Sequence, residues 1–315
     1  MIVVTLNRPE FVRICLEHLA VQTARPAEII VVDASPNADT YHLVHDEFPS
    51  VRYLKNPLGP GTTGASRNLG LAASSGDVIA FVDDDAYAAP EWLEKLLEPY
   101  CDPGVGGVGG RALNDQPDEA TNGIEDIGRF RADGTLSGNF AADPRAVIEV
   151  DHLLGANMSY RRRILVELGG IRDGYPGTCL REETDLSLRV KRAGWKIMFN
   201  PAACVQHVAA PYSRGKRFDL RYAYFSQRNH IVLLIRVLGL TSTELRLYVA
   251  VALQSELREL KRRSGFGGDA LDRNHKARAR STVGGLFRTA AALAGLLIGF
   301  QAGIRQARLD RKSSN

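Results

Sequence analysis

Gly76-Asp77-Val78-Ile79-Ala80-Phe81-Val82-Asp83-Asp84-Asp85 is the stretch that decides the fold of this 315-residue chain. An unbroken apolar run of this length, bounded by polar residues, reads as a strand buried on both faces, the pattern of a parallel sheet covered by helices. Three adjacent carboxylates repel one another, and a buried strand end is a costly place for them unless a cation compensates. Oxygen ligands of this type suit Mg²⁺ or Mn²⁺, completed by water and a substrate phosphate. A solvated acidic turn is the alternative, but the carboxyl ends of the strands are where open α/β sheets bind ligands.

Working outward, the segments on either side alternate short apolar runs with helical patterns. Strands are expected at Ile2–Leu6, Glu28–Val32, Val51–Leu54 and Asp77–Val82. Helices are expected from Pro9, near Thr40–Phe48, at Ala65–Ala73 and at Glu91–Tyr100, with Pro90 suited to a first turn. The residues just past these strands, Asn7 and Arg8, Asp33, Lys55 and Asn56, and the three aspartates, then share one rim.

Residues 112–150 are rich in Asp, Gly and Asn and read as an irregular insertion or a pair of short edge strands. The apolar segment His152–Tyr160 follows, then helices near Arg162–Leu168 and Glu182–Ala193, and strands at Lys196–Phe199 and Cys204–His207. The segment 208–217, with Arg214, Lys216 and Arg217, reads as a basic loop. Helices at about 219–237, 242–262 and 283–308 complete the chain.

Three other motifs bear on function. Gly59–Ser66 resembles a phosphate-binding P-loop only superficially, because Ala65 stands where lysine is required. Arg67, in the first turn of a helix, is nevertheless placed to hold a diphosphate. Gly104, Gly106 and Gly109 satisfy G-x-G-x-x-G without the strand and helix that the dinucleotide motif needs, so they are read as structural. Glu182, Glu183 and Asp185 open a helix, where the dipole favours carboxylates and keeps a general base ionised. Simple capping explains the same residues, and His207 reads equally as a structural histidine.

The composition, 44% hydrophobic and 24% charged, excludes collagen-like, wholly disordered and multispanning readings. Its net charge of +4 conceals an acidic body and a basic tail. Residues 1–210 carry a net −9, whereas 211–315 carry 20 Lys/Arg against 7 Asp/Glu. Cys15, Cys101, Cys179 and Cys204 lack metal-ribbon or disulfide-framework spacing, which suits a reducing compartment. A strand directly after Met1 leaves no room for a cleavable leader, so a cytoplasmic location is expected.

Taken in order, several stretches resemble the successive motifs of family 2 glycosyltransferases with the GT-A fold. They are Val3–Pro9, Glu28–Ser35, Gly64–Gly70, Gly76–Asp85, Gly155–Arg162, Glu182–Arg189, Arg192–Trp195 and Val205–His207. The resemblance covers about residues 1–210. It implies a GT-A catalytic domain there, with 1–111 binding the nucleotide sugar and 112–210 forming the acceptor and catalytic part. Residues 211–315 would be a helical C-terminal extension.

Carried across residue by residue, the resemblance implies that Thr5, Arg8 and Asp33 hold the nucleoside, Asp33 facing the base. Arg67 would lie near the diphosphate, Asp83 at the ribose and metal side, and Asp84 at the donor sugar. Asp85 would ligate Mn²⁺ or Mg²⁺ with His207, and Asn157 would line the sugar pocket. Glu183 stands where the family usually carries an aspartate base, which leaves Glu182 as a competitor. The implied reaction is inverting transfer from a UDP-, dTDP- or GDP-sugar to a glycan or lipid-linked acceptor. A sugar-1-phosphate nucleotidyltransferase is the rival enzyme, but Ile2–Pro9 lacks its Gly-rich basic signature. A non-catalytic nucleotide-sugar-binding protein is the other rival.

In the tail, Thr289–Ile304 is a 16-residue uncharged stretch flanked by Arg288 and by Arg305, Arg308, Arg311 and Lys312. A bilayer-spanning helix needs about 20 apolar residues, so crossing is disfavoured. A helix lying against an anionic membrane surface and a buried or self-associating helix are the remaining readings. Nucleic acid is not an expected partner, for the tail lacks interleaved aromatics and any binding motif.

Overall fold

The strands expected in the first part of the chain form one side of a single sheet. In this computed structural model, which describes residues 1–177, 180–208, 219–264 and 275–313, β1 (Ile2–Thr5) lies between β2 (Ile30–Asp33) and β4 (Val78–Asp83), with β3 (Arg52–Lys55) outside β2. All three pairings are parallel. Helices α1 (Pro9–Ala20), α2 (Asp39–Glu47) and α3 (Thr63–Ala73) supply the crossovers.

The continuous apolar runs are explained by burial on both faces. Val3, Val31, Ala80 and Val82 pack with Val12, Leu16 and Leu19 of α1 and with Trp92 and Leu96 of α4 (Trp92–Leu97). Their neighbours Ile2, Ile30, Val32, Ile79 and Phe81 pack on the other face. There they meet Leu71 of α3, Ile164 and Leu165 of α5 (Arg162–Glu167), and Leu186 and Val190 of α6 (Glu182–Arg192). Side chains alternate across a strand, so each strand serves two cores at once.

Beyond β4 the sheet becomes mixed. β8 (Asn157–Arg161) pairs antiparallel with β4, and β6 (Val105–Leu113) pairs antiparallel with β8. β9 (Lys196–His207) runs parallel to β6 and carries β5 (Ala86–Ala88) and the short β7 (Ile148–Glu149) as antiparallel partners. Among the described residues nine strands result, ordered β3-β2-β1-β4-β8-β6-β9-β5 with β7 beside β9, in a mixed, mostly parallel sheet flanked by helices.

Two differences from the sequence reading stand out. Lys196–His207 is one strand rather than two. Val105–Leu113, whose glycines were read only as structural, is a central strand. Strand propensity is low for Gly, but a Cβ at Gly107 would sit 2.7 Å from the Tyr160 ring and one at Gly110 1.8 Å from the Ala203 carbonyl oxygen. Glycine is what lets β8 and β9 approach on either side.

The chain divides into two compact units. The first comprises Met1–Phe130, Leu136–Asp173 and Glu182–Ser213, and the second Arg131–Thr135, Gly174–Arg181 and Arg214–Asn315. One sheet runs through the first unit. Two short segments of the N-terminal part belong to the second unit.

In that second unit α7 (Leu220–Leu238) begins at Asp219, whose side chain accepts from Tyr222 N at 2.7 Å, and ends at Gly239 with φ +100. It packs along α9 (His275–Ser313), while α8 (Thr243–Ser264) contacts both. Gly295, Gly299 and Gly303 of α9 face α7, where added Cβ atoms would meet Tyr224 O, Ile231 and Ile235 within 2.8 Å. Among the described residues, Gly284–Lys312 is the one helix long and apolar enough to cross a membrane, and 33% of its most apolar window is buried. The loop cations Arg214, Lys216 and Arg217, and Cys179, lie outside the described residues.

Candidate active site

The site is assembled where β1, β2, β4 and β9 end. β4 delivers the three aspartates, and the chain turns at once into β5. Because β5 pairs antiparallel with β9, Ala86 lies opposite His207, which brings the imidazole beside Asp85. Val208 N donates to Asp85 O at 3.0 Å and closes the same corner.

Asp83, Asp85 and His207 each present one ligand atom, and these atoms lie within 4.8 Å of one another. His207 Nε2 is 3.4 Å from Asp85 Oδ1. Two carboxylates and an imidazole form the donor set of a divalent first-row cation, with carboxylates serving Mg²⁺ or Mn²⁺ and imidazole favouring the latter. The residues therefore fit the group.

Asp84 makes contacts of its own. It is buried, accepting from Thr5 Oγ1 at 2.7 Å and from Arg8 Nη1 at 3.0 Å. Burial pushes its carboxyl up to about 7, against the opposing pull of Arg8 and the Thr5 hydroxyl. Thr5, Arg8 and Asp84 thus form a hydrogen-bonded anchor beside Asp85 at the rim. Arg8 also reaches Asp85 Oδ2 at 3.5 Å.

Arg67 lies beside the same carboxylates. Its guanidinium is buried, donating to Glu182 Oε1 at 2.5 Å, to Asp83 Oδ1 at 3.1 Å and to the Gly155 carbonyl at 3.2 Å. It bridges two carboxylates, Glu182 and Asp83. Burial holds the Glu182 proton affinity above that of an ordinary glutamate, with Arg67 opposing and Glu183 and Asp83 reinforcing the rise. Glu183, one residue on and so about 100° further round the helix, is half-buried. Asp185 turns inward to Arg189 at 2.6 Å, and Arg189 ties α6 to the carbonyls of Leu168 and Gly170.

Asp33 ends β2 fully buried. Its Oδ1 accepts from Ser35 N at 2.8 Å and from the Ser35 hydroxyl, and its Oδ2 accepts from Tyr53 OH at 2.9 Å. Lys55 stands 3.8 Å away. Burial together with Asp33 raises the Tyr53 phenol well above its ordinary range. Tyr53 and Ser35 were not singled out from sequence. The Asp-x-Ser turn was the available signal, whereas Tyr53 reaches Asp33 only through the β2–β3 register.

Asn157 begins β8 behind the aspartates. Fully buried, it donates to the carbonyls of Arg111 and Ala203 at 2.9 Å each and accepts from Trp92 Nε1 at 2.9 Å. It fastens β8, β6 and β9 behind the aspartates. Trp92→Phe is expected to leave this amide oxygen without that donor and to cost about 1–3 kcal/mol. In a domain of this size that lowers the melting temperature by about 2–4 °C per kcal/mol, measurable by calorimetry.

Residues 1–169 match the family model described as Glycosyl transferase family 2. The chain belongs to that family. This glycosyltransferase is 27% identical over 218 residues to the glucosyl-dolichyl phosphate glucuronosyltransferase of Haloferax volcanii, a match covering 66% of this chain and 67% of that protein. It is 31% identical over 196 residues to the pre-mycofactocin glycosyltransferase of Mycobacterium tuberculosis, covering 59% of this chain but 38% of that one. It is also 26% identical over 211 residues to the O-antigen chain rhamnosyltransferase RfbN of Salmonella typhimurium, covering 66% and 65%. Among solved structures, the mannosyltransferase PcManGT of Pyrobaculum calidifontis, in complex with GDP-Man and Mn²⁺, superposes with a TM-score of 0.62 at 17% identity. That match covers 94% of this glycosyltransferase and 86% of the mannosyltransferase. At that identity the likeness bears on the fold, which is GT-A. The family match ends before α6 and β9, so it does not include Glu183 or His207.

Proposed function

We propose that this glycosyltransferase moves a sugar from a nucleoside-diphosphate donor to a hydroxyl of a glycan or lipid-linked acceptor with inversion, using Glu183 as general base. The observation that carries the reading is the convergence of Asp83, Asp85 and His207 at one corner of the rim. Asp83, Asp85 and His207 would hold Mn²⁺ or Mg²⁺, which would supply positive charge for the departing diphosphate. Asp33, kept in place by Ser35 and Tyr53, faces the base of the nucleoside, its carboxylate retaining acceptor capacity. UDP-, dTDP- and GDP-sugars are the donor class.

The chemistry assigned to the chain is proton transfer and positioning. The acceptor oxygen attacks the anomeric carbon and gives its proton to the Glu183 carboxylate. The anomeric C–O bond breaks with its electron pair leaving on the nucleoside diphosphate. Attack opposite the leaving group inverts the anomeric configuration in a single displacement, through an oxocarbenium-like state. Glu182 is already paired with Arg67, which favours Glu183 over it as base. Free cysteines at 15, 101 and 204 agree with work in the reducing cytoplasm.

A thermal-shift panel of nucleotide sugars with and without Mn²⁺ tests this reading. A matching donor at about 100 times its Kd is expected to stabilise the protein by about 2.7 kcal/mol, and only with the cation. A panel in which every nucleotide sugar is silent in both conditions removes the donor site from this rim.

A further inference from the structure

The exposed side of α9 is graded. One side of this helix is committed to α7 through Gly295, Gly299 and Gly303. The opposite side carries Phe287 at 62% exposure, Leu297 at 73% and Ile298 at 44%. Helical spacing continues that side into Arg305 and Arg308, both exposed, with Arg311 and Lys312 in the last turn. The sole acid in α9, Asp310, is taken up by Arg236 at 2.8 and 2.9 Å. The outer side is thus apolar at 287–298 and cationic beyond 304.

We propose that this side of α9 docks in the plane of an anionic lipid surface. The apolar part enters the headgroup boundary, and Arg305 and Arg308 meet lipid phosphates. Amphipathic helices with this combination of apolar side chains and Lys/Arg lie in the interface. The uncharged stretch 289–304 has 16 residues, about 24 Å of helix, which is short of the roughly 30 Å hydrocarbon core. Its glycine side is occupied by α7 along that stretch, so lipid cannot surround it. A second copy is a poorer occupant, since it would set these cations against like cations or against the apolar residues. The surface lies wholly within the second unit and does not depend on the sugar-transfer reading.

Sedimentation of the full chain with vesicles of phosphatidylcholine, alone or mixed with phosphatidylglycerol, tests the proposal. Binding is expected to the mixed vesicles and to weaken with salt. Phe287→Glu with Leu297→Glu is expected to lower partitioning at least about tenfold per residue. Arg305→Glu with Arg308→Glu should lower it by about tenfold or more. These side chains are exposed, so both variants should melt like the parent, and if one does not, the other carries the test. Equal partitioning of parent and variants, or no preference for the anionic vesicles, overturns the proposal. So does a self-association, seen by analytical ultracentrifugation, that Leu297→Glu abolishes.

Discussion

Glu183→Gln is expected to lower sugar transfer by roughly 10²- to 10⁴-fold, the usual contribution of a positioned general base, with donor affinity unchanged. The substitution keeps size and hydrogen bonding and removes only the ability to take a proton. Glu182→Gln is the necessary companion, because it acts on a different quantity. Its carboxylate is buried against Arg67 at 2.5 Å. Weakening that pair leaves a guanidinium underpaired in low dielectric, so the loss appears in the melting temperature. Steady-state rates, donor binding by calorimetry and melting curves on the two variants separate the roles. If Glu182→Gln loses transfer with normal stability while Glu183→Gln stays active, the base is Glu182.

Asp85→Asn should be nearly as severe by a separate route. Asn keeps one neutral oxygen ligand and loses the charge that makes Asp83, Asp85 and His207 attractive to a divalent cation. The stabilisation of leaving-group charge assigned to such a cation amounts to several kcal/mol, so turnover is expected to fall by roughly 10³-fold. A readout independent of turnover is the donor-induced thermal shift, which should no longer respond to Mn²⁺. A full Mn²⁺ response in Asp85→Asn would move the metal away from this corner.

The parallel half of the sheet was legible because its strands are buried on both faces. Ile30–Val32 and Val78–Val82 carry apolar residues at every position, and the carboxylates that follow mark the rim. β6 was illegible for the converse reason, as glycine has no side-chain pattern and its purpose at 107 and 110 lies in the neighbours, Tyr160 and Ala203. The same distinction runs through the site. Residue types announced Asp83, Asp85 and the Glu182–Glu183 pair, but side-chain direction is a tertiary property. Asp84 meets Thr5 and Arg8 across 79 and 76 positions of sequence, Arg67 meets Glu182 across 115, and Asn157 meets Trp92 and two carbonyls. None of these partners lies nearby in sequence.

The pairing of β5 with β9 carries a consequence for timing. Asp85 emerges early in synthesis, whereas His207, which stands opposite Ala86, follows more than a hundred residues later. β9 also supplies the parallel partner of β6, and contacts of such separation form late because their loop-closure cost comes first. A ribosome-bound chain that has passed Asp85 therefore holds two of its three ligands and cannot complete the corner. The last strand of the sheet acts as the clock for competence, and on the proposed function metal loading would wait on the closing of the fold.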